Sequence, residues 1–158
     1  MTDLCKPVEA GLFRSEAMAG HGITVLVIDD HKELLDVLGQ GLALYGYAVL
    51  TASSGQEGLR LFRENHVDMI LCDLGMPHMD GWEVAKGICD TCNAQGLKKP
   101  RLILVTAWAD QIKGDRRIRK LGIDAVVGKP VSLNTLLLMV EREIARKNGA
   151  AVPALNAD

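Results

Sequence analysis

The sequence predicts an α/β fold, a single parallel sheet covered by helices on both faces. Three observations carry that reading. Five short apolar runs alternate with five stretches of helical period. The central run, Met69-Ile70-Leu71-Cys72, is apolar on both faces, as a strand buried between two helical layers must be. It gives way at once to Asp73 and the turn residues Leu74-Gly75-Met76-Pro77, at the strand end where open α/β sheets place their ligands.

The elements follow in order. Residues 1–22 show no clear period, end in Gly20-His21-Gly22, and are expected to form a flexible leader or linker. Ile23 to Ile28 is β-branched and apolar, a first strand ending in Asp29-Asp30. Leu34, Leu35, Val37, Leu38, Leu42 and Tyr45 then recur at helical spacing up to a stop at Gly46. Tyr47 to Ala52 is a second strand. Ser54-Gly55-Gln56-Glu57 has capping-box spacing and opens a helix that turns Leu59, Leu61 and Phe62 inward. After the central strand, Asp80 caps a third helix running to about Asn93. Arg101 to Thr106 is a fourth strand, and a fourth helix runs from about Ala109 to Lys120, weakened by Gly114. Asp124 to Gly128 is a short fifth strand before Lys129-Pro130. Ser132 caps a last helix carrying Leu133, Leu136, Leu137, Val140 and Ile144. The domain is expected to span 23–147, with a flexible tail at 148–158.

The bulk composition narrows the function. A chain of 158 residues fits one domain and buries about two-thirds of its unfolded surface. Its 48% apolar and 24% charged residues are ordinary for a globular protein, and a net charge of -2 argues against a nucleic-acid partner. No apolar run reaches membrane-spanning length, and the first residues lack a signal-peptide core, so the expected compartment is the cytoplasm. Of the cysteines at 5, 72, 89 and 92, Cys72 reads as a small core residue. Cys89-Asp90-Thr91-Cys92 matches a C-x-x-C pattern but falls late in a helix, where a redox pair is out of place, and a zinc site lacks two further ligands.

The chemistry lies in the strand ends. Asp29-Asp30, Asp73, Thr106 and Lys129 end the first, third, fourth and fifth strands. In a sheet ordered 2-1-3-4-5 these strands are neighbours, so three carboxylates, a hydroxyl and an ammonium converge in one crevice. Two carboxylates about 4 Å apart repel by roughly 4 kcal/mol at an effective dielectric near 20, so the cluster either raises a pKa or holds a cation. Oxygen ligands favour a hard ion, and Mg2+ suits a few carboxylates plus a phosphate. Asp73 is then placed as a carboxylate nucleophile toward a phosphoryl group, with Lys129 and Thr106 on the phosphoryl oxygens. Taken singly, each residue has a plainer reading. Asp29 or Asp30 would cap the first helix, Thr106 would end a ladder, and Lys129 would be solvated.

The set Asp29-Asp30, Asp73-Leu74-x-Met76-Pro77-x-Met79-Asp80-Gly81, Thr106-Ala107 and Lys129-Pro130 resembles the receiver domain of two-component response regulators, over residues 23 to about 146. The resemblance implies a flavodoxin-like (βα)5 three-layer sandwich. It implies that Asp73 is the phosphoacceptor of a phosphorelay, taking its phosphoryl group from a phosphohistidine on a sensor histidine kinase or phosphotransfer protein. Asp30, Asp73 and the backbone carbonyl of Gly75 would bind Mg2+ directly, and Asp29 mainly through a water. Thr106 would move toward the phosphoryl group, Lys129 would pair with it, and the Lys129–Pro130 bond would be cis. The same resemblance implies a switch of protein contacts, with a downstream protein or the parent hybrid kinase as target. Neither nucleic acid nor membrane is expected as a partner, and no catalysis is expected beyond the domain's own phosphorylation and dephosphorylation.

Some positions depart from the family pattern. Val126 stands where an aromatic residue often rotates inward with the threonine, so coupling to the output face is expected to run differently or weakly. Trp108 either shields the acyl phosphate or packs on the loop, and Gly75 opens the site. His31 and His78 read as loop residues near the crevice. Lys113, Arg116, Arg117, Arg119 and Lys120 form either a solvated face or a docking surface. Two other functions use similar residues. A haloacid-dehalogenase-type phosphatase needs an Asp-x-Asp pair, and Asp73-Leu74-Gly75 lacks the second carboxylate. A receiver that binds partners without phosphorylation has no need of the intact acidic set.

Overall fold

The computed structural model describes residues 6–9, 12–14, 22–147 and 149. Two short strands come first, β1 (Lys6–Glu9) and β2 (Leu12–Arg14). The alternating elements then follow as β3 (Thr24–Ile28), α1 (Lys32–Leu44), β4 (Ala48–Ala52), α2 (Gly55–Glu64), β5 (Met69–Asp73), α3 (Gly81–Gln95) and β6 (Arg101–Thr106). The chain continues through α4 (Ala109–Ile112), α5 (Arg116–Lys120), β7 (Ala125–Gly128) and α6 (Leu133–Lys147). Strands β3 to β7 are parallel and lie in the order β4-β3-β5-β6-β7, which is the predicted 2-1-3-4-5.

Alternation along the strands builds two cores. Val25, Val27, Met69 and Leu71 face one layer and meet Leu35, Leu38 and Leu42 of α1 and Leu136 and Val140 of α6. Leu26, Ile28 and Ile70 face the other and meet Leu59 and Phe62 of α2 and Val84 and Ile88 of α3. Every residue of β5 is buried, as its unbroken apolar run requires. At the sheet's N-terminal edge, carboxylates act as staples. Asp68 Oδ2 accepts from Thr24 N at 2.8 Å, and Asp124 Oδ2 accepts from Leu102 N at 2.8 Å, tying β3 to β5 and β6 to β7.

The predicted caps form. Ser54 Oγ accepts from Glu57 N at 3.2 Å, Asp80 Oδ1 from Glu83 N at 2.9 Å, and Ser132 Oγ from Thr135 N at 3.1 Å. Glu57 reaches back to the N–H of Ser53, one residue before the cap. Neither Asp29 nor Asp30 caps α1, whose N-cap is His31 with no side-chain cap bond.

Two expectations change. The single helix over Ala109–Lys120 is two, because Gly114 interrupts it and Asp115 starts a new one by accepting from Arg117 N at 2.9 Å. A poor helix former followed by a good N-cap breaks the helix instead of only weakening it. Within the 1–22 leader, β1 and β2 form an antiparallel pair that docks on the outer side of β4, with Leu12 opposite Leu50 and Phe13 opposite Val49. Strands of 4 and 3 residues, one containing Pro7, are too short to show a period, and such a pair covers what would otherwise be an open sheet edge. The rest of the expected leader, and the expected tail apart from residue 149, lie outside the described residues.

The start of α3 presses on the end of β5. A Cβ at Gly81 would stand 2.9 Å from the Asp73 carbonyl oxygen and 2.9 Å from Leu74 Cα. Both are backbone atoms, which cannot swing aside. Gly81→Ala is therefore expected to destabilise the fold by about 1–3 kcal/mol, read as a lower midpoint in urea denaturation. An unchanged midpoint would mean that the two backbones are not in close contact.

Candidate functional site

The register of the sheet decides where the strand ends meet. Ile28 pairs with Cys72, so Asp29 and Asp73 leave neighbouring strands at one level. Asp73 pairs with Val105 and Thr106 with Gly128, so Thr106 and Lys129 follow one residue further on. The Lys129 N–H donates to the Thr106 carbonyl at 2.9 Å, and the Lys129–Pro130 bond is cis.

Lys129 Nζ lies 2.9 Å from Asp29 Oδ2 and 3.3 Å from Asp73 Oδ1, so one ammonium faces two buried carboxylates. The N–H of Gly75 donates to Asp73 Oδ1 at 3.3 Å. Asp30 stands at the exposed rim. Thr106 is 1% exposed, and its hydroxyl oxygen accepts from Trp108 N at 3.1 Å.

His31 belongs to this group, although its sequence reading is a loop residue. Its Nδ1 is 2.9 Å from Asp29 Oδ1 and 3.2 Å from Asp30 Oδ1, and its backbone N–H donates to Asp29 Oδ1 at 2.9 Å. One ligand atom from each of Asp29, Asp30, His31 and Asp73 falls within 4.8 Å of the others. Adjacency to Asp29-Asp30 is the signal that could have found it. His78 is an exposed loop residue with φ +67.

The two buried carboxylates are pushed in opposite directions. Burial would raise Asp29, but the His31 N–H, the Lys129 ammonium and the His31 ring together hold its carboxyl below the ordinary range. Asp73 is pushed up by burial and then by the charge of Asp29, and Lys129 and the Gly75 N–H offset this only in part. Burial alone would lower Lys129, yet Asp29 and then Asp73 hold its ammonium above the usual range. Asp73 is therefore the carboxylate whose charge is least well matched in this site, and the one a further cation would relieve most.

The surroundings settle several smaller points. The Trp108 ring lies over Gly75, since a Cβ there would be 3.5 Å from Trp108 Cζ3, while the side chain as a whole is 56% exposed. Val126 is half-buried against the core shared with α3. Cys72 is fully buried and its thiol is pushed up by that burial. The Cys89 thiol donates to the Leu121 carbonyl at 3.0 Å, and Cys92 is buried in the helical core, while Cys5 lies outside the described residues. Among the basic residues after β6, Lys113 pairs with Asp110 at 2.8 Å. Arg117 pairs with Asp115 at 2.7 Å and stacks 4.1 Å over the Trp82 ring.

Comparison with known proteins agrees with this geometry. The model of the response regulator receiver domain family matches residues 25–141. The virulence sensor protein BvgS of Bordetella pertussis is 36% identical over 132 residues, 83% of this chain and 10% of that protein. The chain thus spans about a tenth of the length of this curated relative. Among solved structures, the co-crystal of the Saccharomyces cerevisiae histidine phosphotransfer signaling protein Ypd1 with the receiver domain of Ssk1 matches with a TM-score of 0.72 and 25% identity. The match covers 79% of this chain and 90% of that one. The Thermotoga maritima response regulator TrrA in complex with Mg2+ and beryllium fluoride matches with a TM-score of 0.65 and 27% identity, covering 77% of this chain and 98% of that one.

The shared ammonium makes a measurable prediction. Lys129→Met leaves Asp29 and Asp73 facing each other uncompensated, and Asp29→Asn removes that charge repulsion. A double-mutant cycle on unfolding free energy is expected to give a coupling of about 1–2 kcal/mol between the two sites. Additivity within about 0.4 kcal/mol would mean that the pair is screened by solvent.

Proposed function

The chain belongs to the response regulator receiver domain family, and from that premise we propose that Asp73 accepts a phosphoryl group from a phosphohistidine on a partner protein. The observation that carries the reading is the single Lys129 ammonium, 2.9 Å from Asp29 and 3.3 Å from Asp73. A basic, buried carboxylate, an adjacent cation and an acidic pair are the parts that phosphoryl transfer to a carboxylate needs.

The residues fit a divalent cation. Asp29, Asp30 and Asp73 each offer a carboxylate oxygen within 4.8 Å of the others, an oxygen set suited to Mg2+. Asp30, Asp73 and the Gly75 carbonyl would hold it, with Asp29 acting through water. When bound, Mg2+ supplies charge neutralisation for the phosphoryl oxygens. The chain's own groups do the rest. A carboxylate oxygen of Asp73 attacks phosphorus, the P–N bond to the partner's imidazole breaks, and that imidazole leaves and takes up a proton. Lys129 moves its hydrogen bonds from the carboxylates to a phosphoryl oxygen, and Thr106 turns its hydroxyl to another. Trp108, over Gly75, limits the approach of water to the acyl phosphate.

The partner is a sensor histidine kinase or a phosphotransfer protein, which the likenesses to BvgS and to the Ypd1–Ssk1 co-crystal support. The consequence is a change in contacts with a downstream protein or with the rest of a hybrid kinase. The proposed compartment is the cytoplasm, and no described helix is long and apolar enough to cross a membrane. The phosphatase reading is disfavoured by Gly75, which stands where that chemistry needs a second carboxylate. A receiver independent of phosphorylation has no use for the carboxylates gathered around Lys129.

Incubation with a small phosphodonor and Mg2+ is expected to add one phosphoryl group at Asp73, located by peptide mass. A chelator should prevent it, and labelling that persists in Asp73→Asn would refute the assignment. Trp108→Ala should shorten the lifetime of the phosphorylated protein several-fold. An unchanged lifetime would show that the ring only packs on the loop.

A further inference from the structure

Among the described residues around Asp73, His31 is the donor that the receiver chemistry leaves unused. We propose that its imidazole nitrogen is a ligand that turns this oxygen site into a mixed nitrogen–oxygen site, favouring transition-row divalent cations over Mg2+. The inference rests on the divalent-cation reading of the cluster given above.

The geometry argues for it. His31 Nδ1 faces Asp29 Oδ1 at 2.9 Å and Asp30 Oδ1 at 3.2 Å, and one atom each from Asp29, Asp30, His31 and Asp73 falls within 4.8 Å of the rest. Ligands around a six-coordinate ion of about 2.1 Å bond length stand about 3.0 Å apart when adjacent and about 4.2 Å apart when opposite. The atoms of Asp30, His31 and Asp73 are thus spaced to close on one ion with small adjustments, with Asp29 beside them to act through water. The backbone is fixed for the purpose, because the His31 N–H donates to Asp29 Oδ1 at 2.9 Å and the residue is the N-cap of α1. The ring itself is free to adjust, its side chain being 69% exposed on the rim. The 3.2 Å from His31 Nδ1 to Asp30 Oδ1 is a hydrogen-bond distance, and a cation between these two would replace that contact with two metal–ligand bonds.

The chemistry sets the direction of the preference. Mg2+ is hard and keeps oxygen ligands and water, so an imidazole adds little to its binding. Imidazole suits borderline ions such as Co2+, Ni2+ and Zn2+, and affinity for a nitrogen-containing site climbs along the first row as far as Cu2+ before falling at Zn2+. Removing His31 should therefore weaken those ions selectively. A His31 that only clips the two carboxylates together would leave the ratio between ions unchanged.

The test compares Mg2+ and Co2+ binding to the full chain by titration calorimetry at about pH 8, where a free imidazole is neutral. Wild type is set against His31→Ala and the bulk-conserving His31→Gln. The ratio of Co2+ to Mg2+ affinity is expected to fall by at least about tenfold in both variants. Electron spin echo spectroscopy of bound Mn2+ should show imidazole nitrogen modulation in wild type and none in His31→Ala. An unchanged ratio, or nitrogen modulation that is absent in wild type or survives the substitution, would overturn the proposal. Mg2+-dependent labelling of Asp73 in wild type reads the receiver function separately, so either inference can fail alone.

Discussion

One ammonium shared by two buried carboxylates is the contact on which the site depends. Lys129 reaches Asp29 and Asp73 from the far side of the sheet, 100 residues along the chain from Asp29. Without it, two carboxylates on adjacent strands would face each other in a partly desolvated pocket, an arrangement that costs several kcal/mol. With it, the pocket folds while one carboxylate stays poorly matched. Asp29 is held down and Asp73 is pushed up, so the proposed phosphoacceptor is the carboxylate the fold compensates least.

Nothing in that pocket is held by long-range design beyond the sheet itself. The pairs Ile28–Cys72, Asp73–Val105 and Thr106–Gly128 fix the level of each strand end, and Asp29, Asp73, Thr106 and Lys129 each lie within one position of such a pair. A register shift of one residue in any of these strands would turn its site side chain to the opposite face. The full burial of β5 and the close approach of Gly81 to the Asp73 carbonyl guard against that shift. Stability and the proposed chemistry thus share one strand: the strand that fills both cores also carries Asp73.

Much of this was legible in the sequence because its signals are short-range. Strand β5 announces itself by an apolar run that stops at a carboxylate, and Ser54, Asp80 and Ser132 by capping chemistry within three residues. The strand order came from the doubly wound 2-1-3-4-5 arrangement, which puts the charged ends on adjacent strands. What escaped was set by smaller or longer-range effects. β1 and β2 carry no period; β1 is fixed by pairing with β2, and β2 by pairing with β4. The break at Gly114 required weighing a weak helix former against the new cap at Asp115. His31 looked like a loop residue because its role depends on a side-chain rotamer, which spacing cannot show. The staples made by Asp68 and Asp124 resemble any surface carboxylate until the neighbouring strand is in place.

The central claim is that the charged strand ends act together on one phosphoryl group at Asp73. A crystal structure of the chain with Mg2+ and beryllium fluoride, a phosphoryl mimic, tests it most directly. The account predicts the beryllium on an Asp73 carboxylate oxygen, with Lys129 Nζ and the Thr106 hydroxyl turned from their present partners to its fluorines. A structure in which beryllium fluoride binds elsewhere, or in which Lys129 stays on Asp29 while the mimic occupies Asp73, would contradict it.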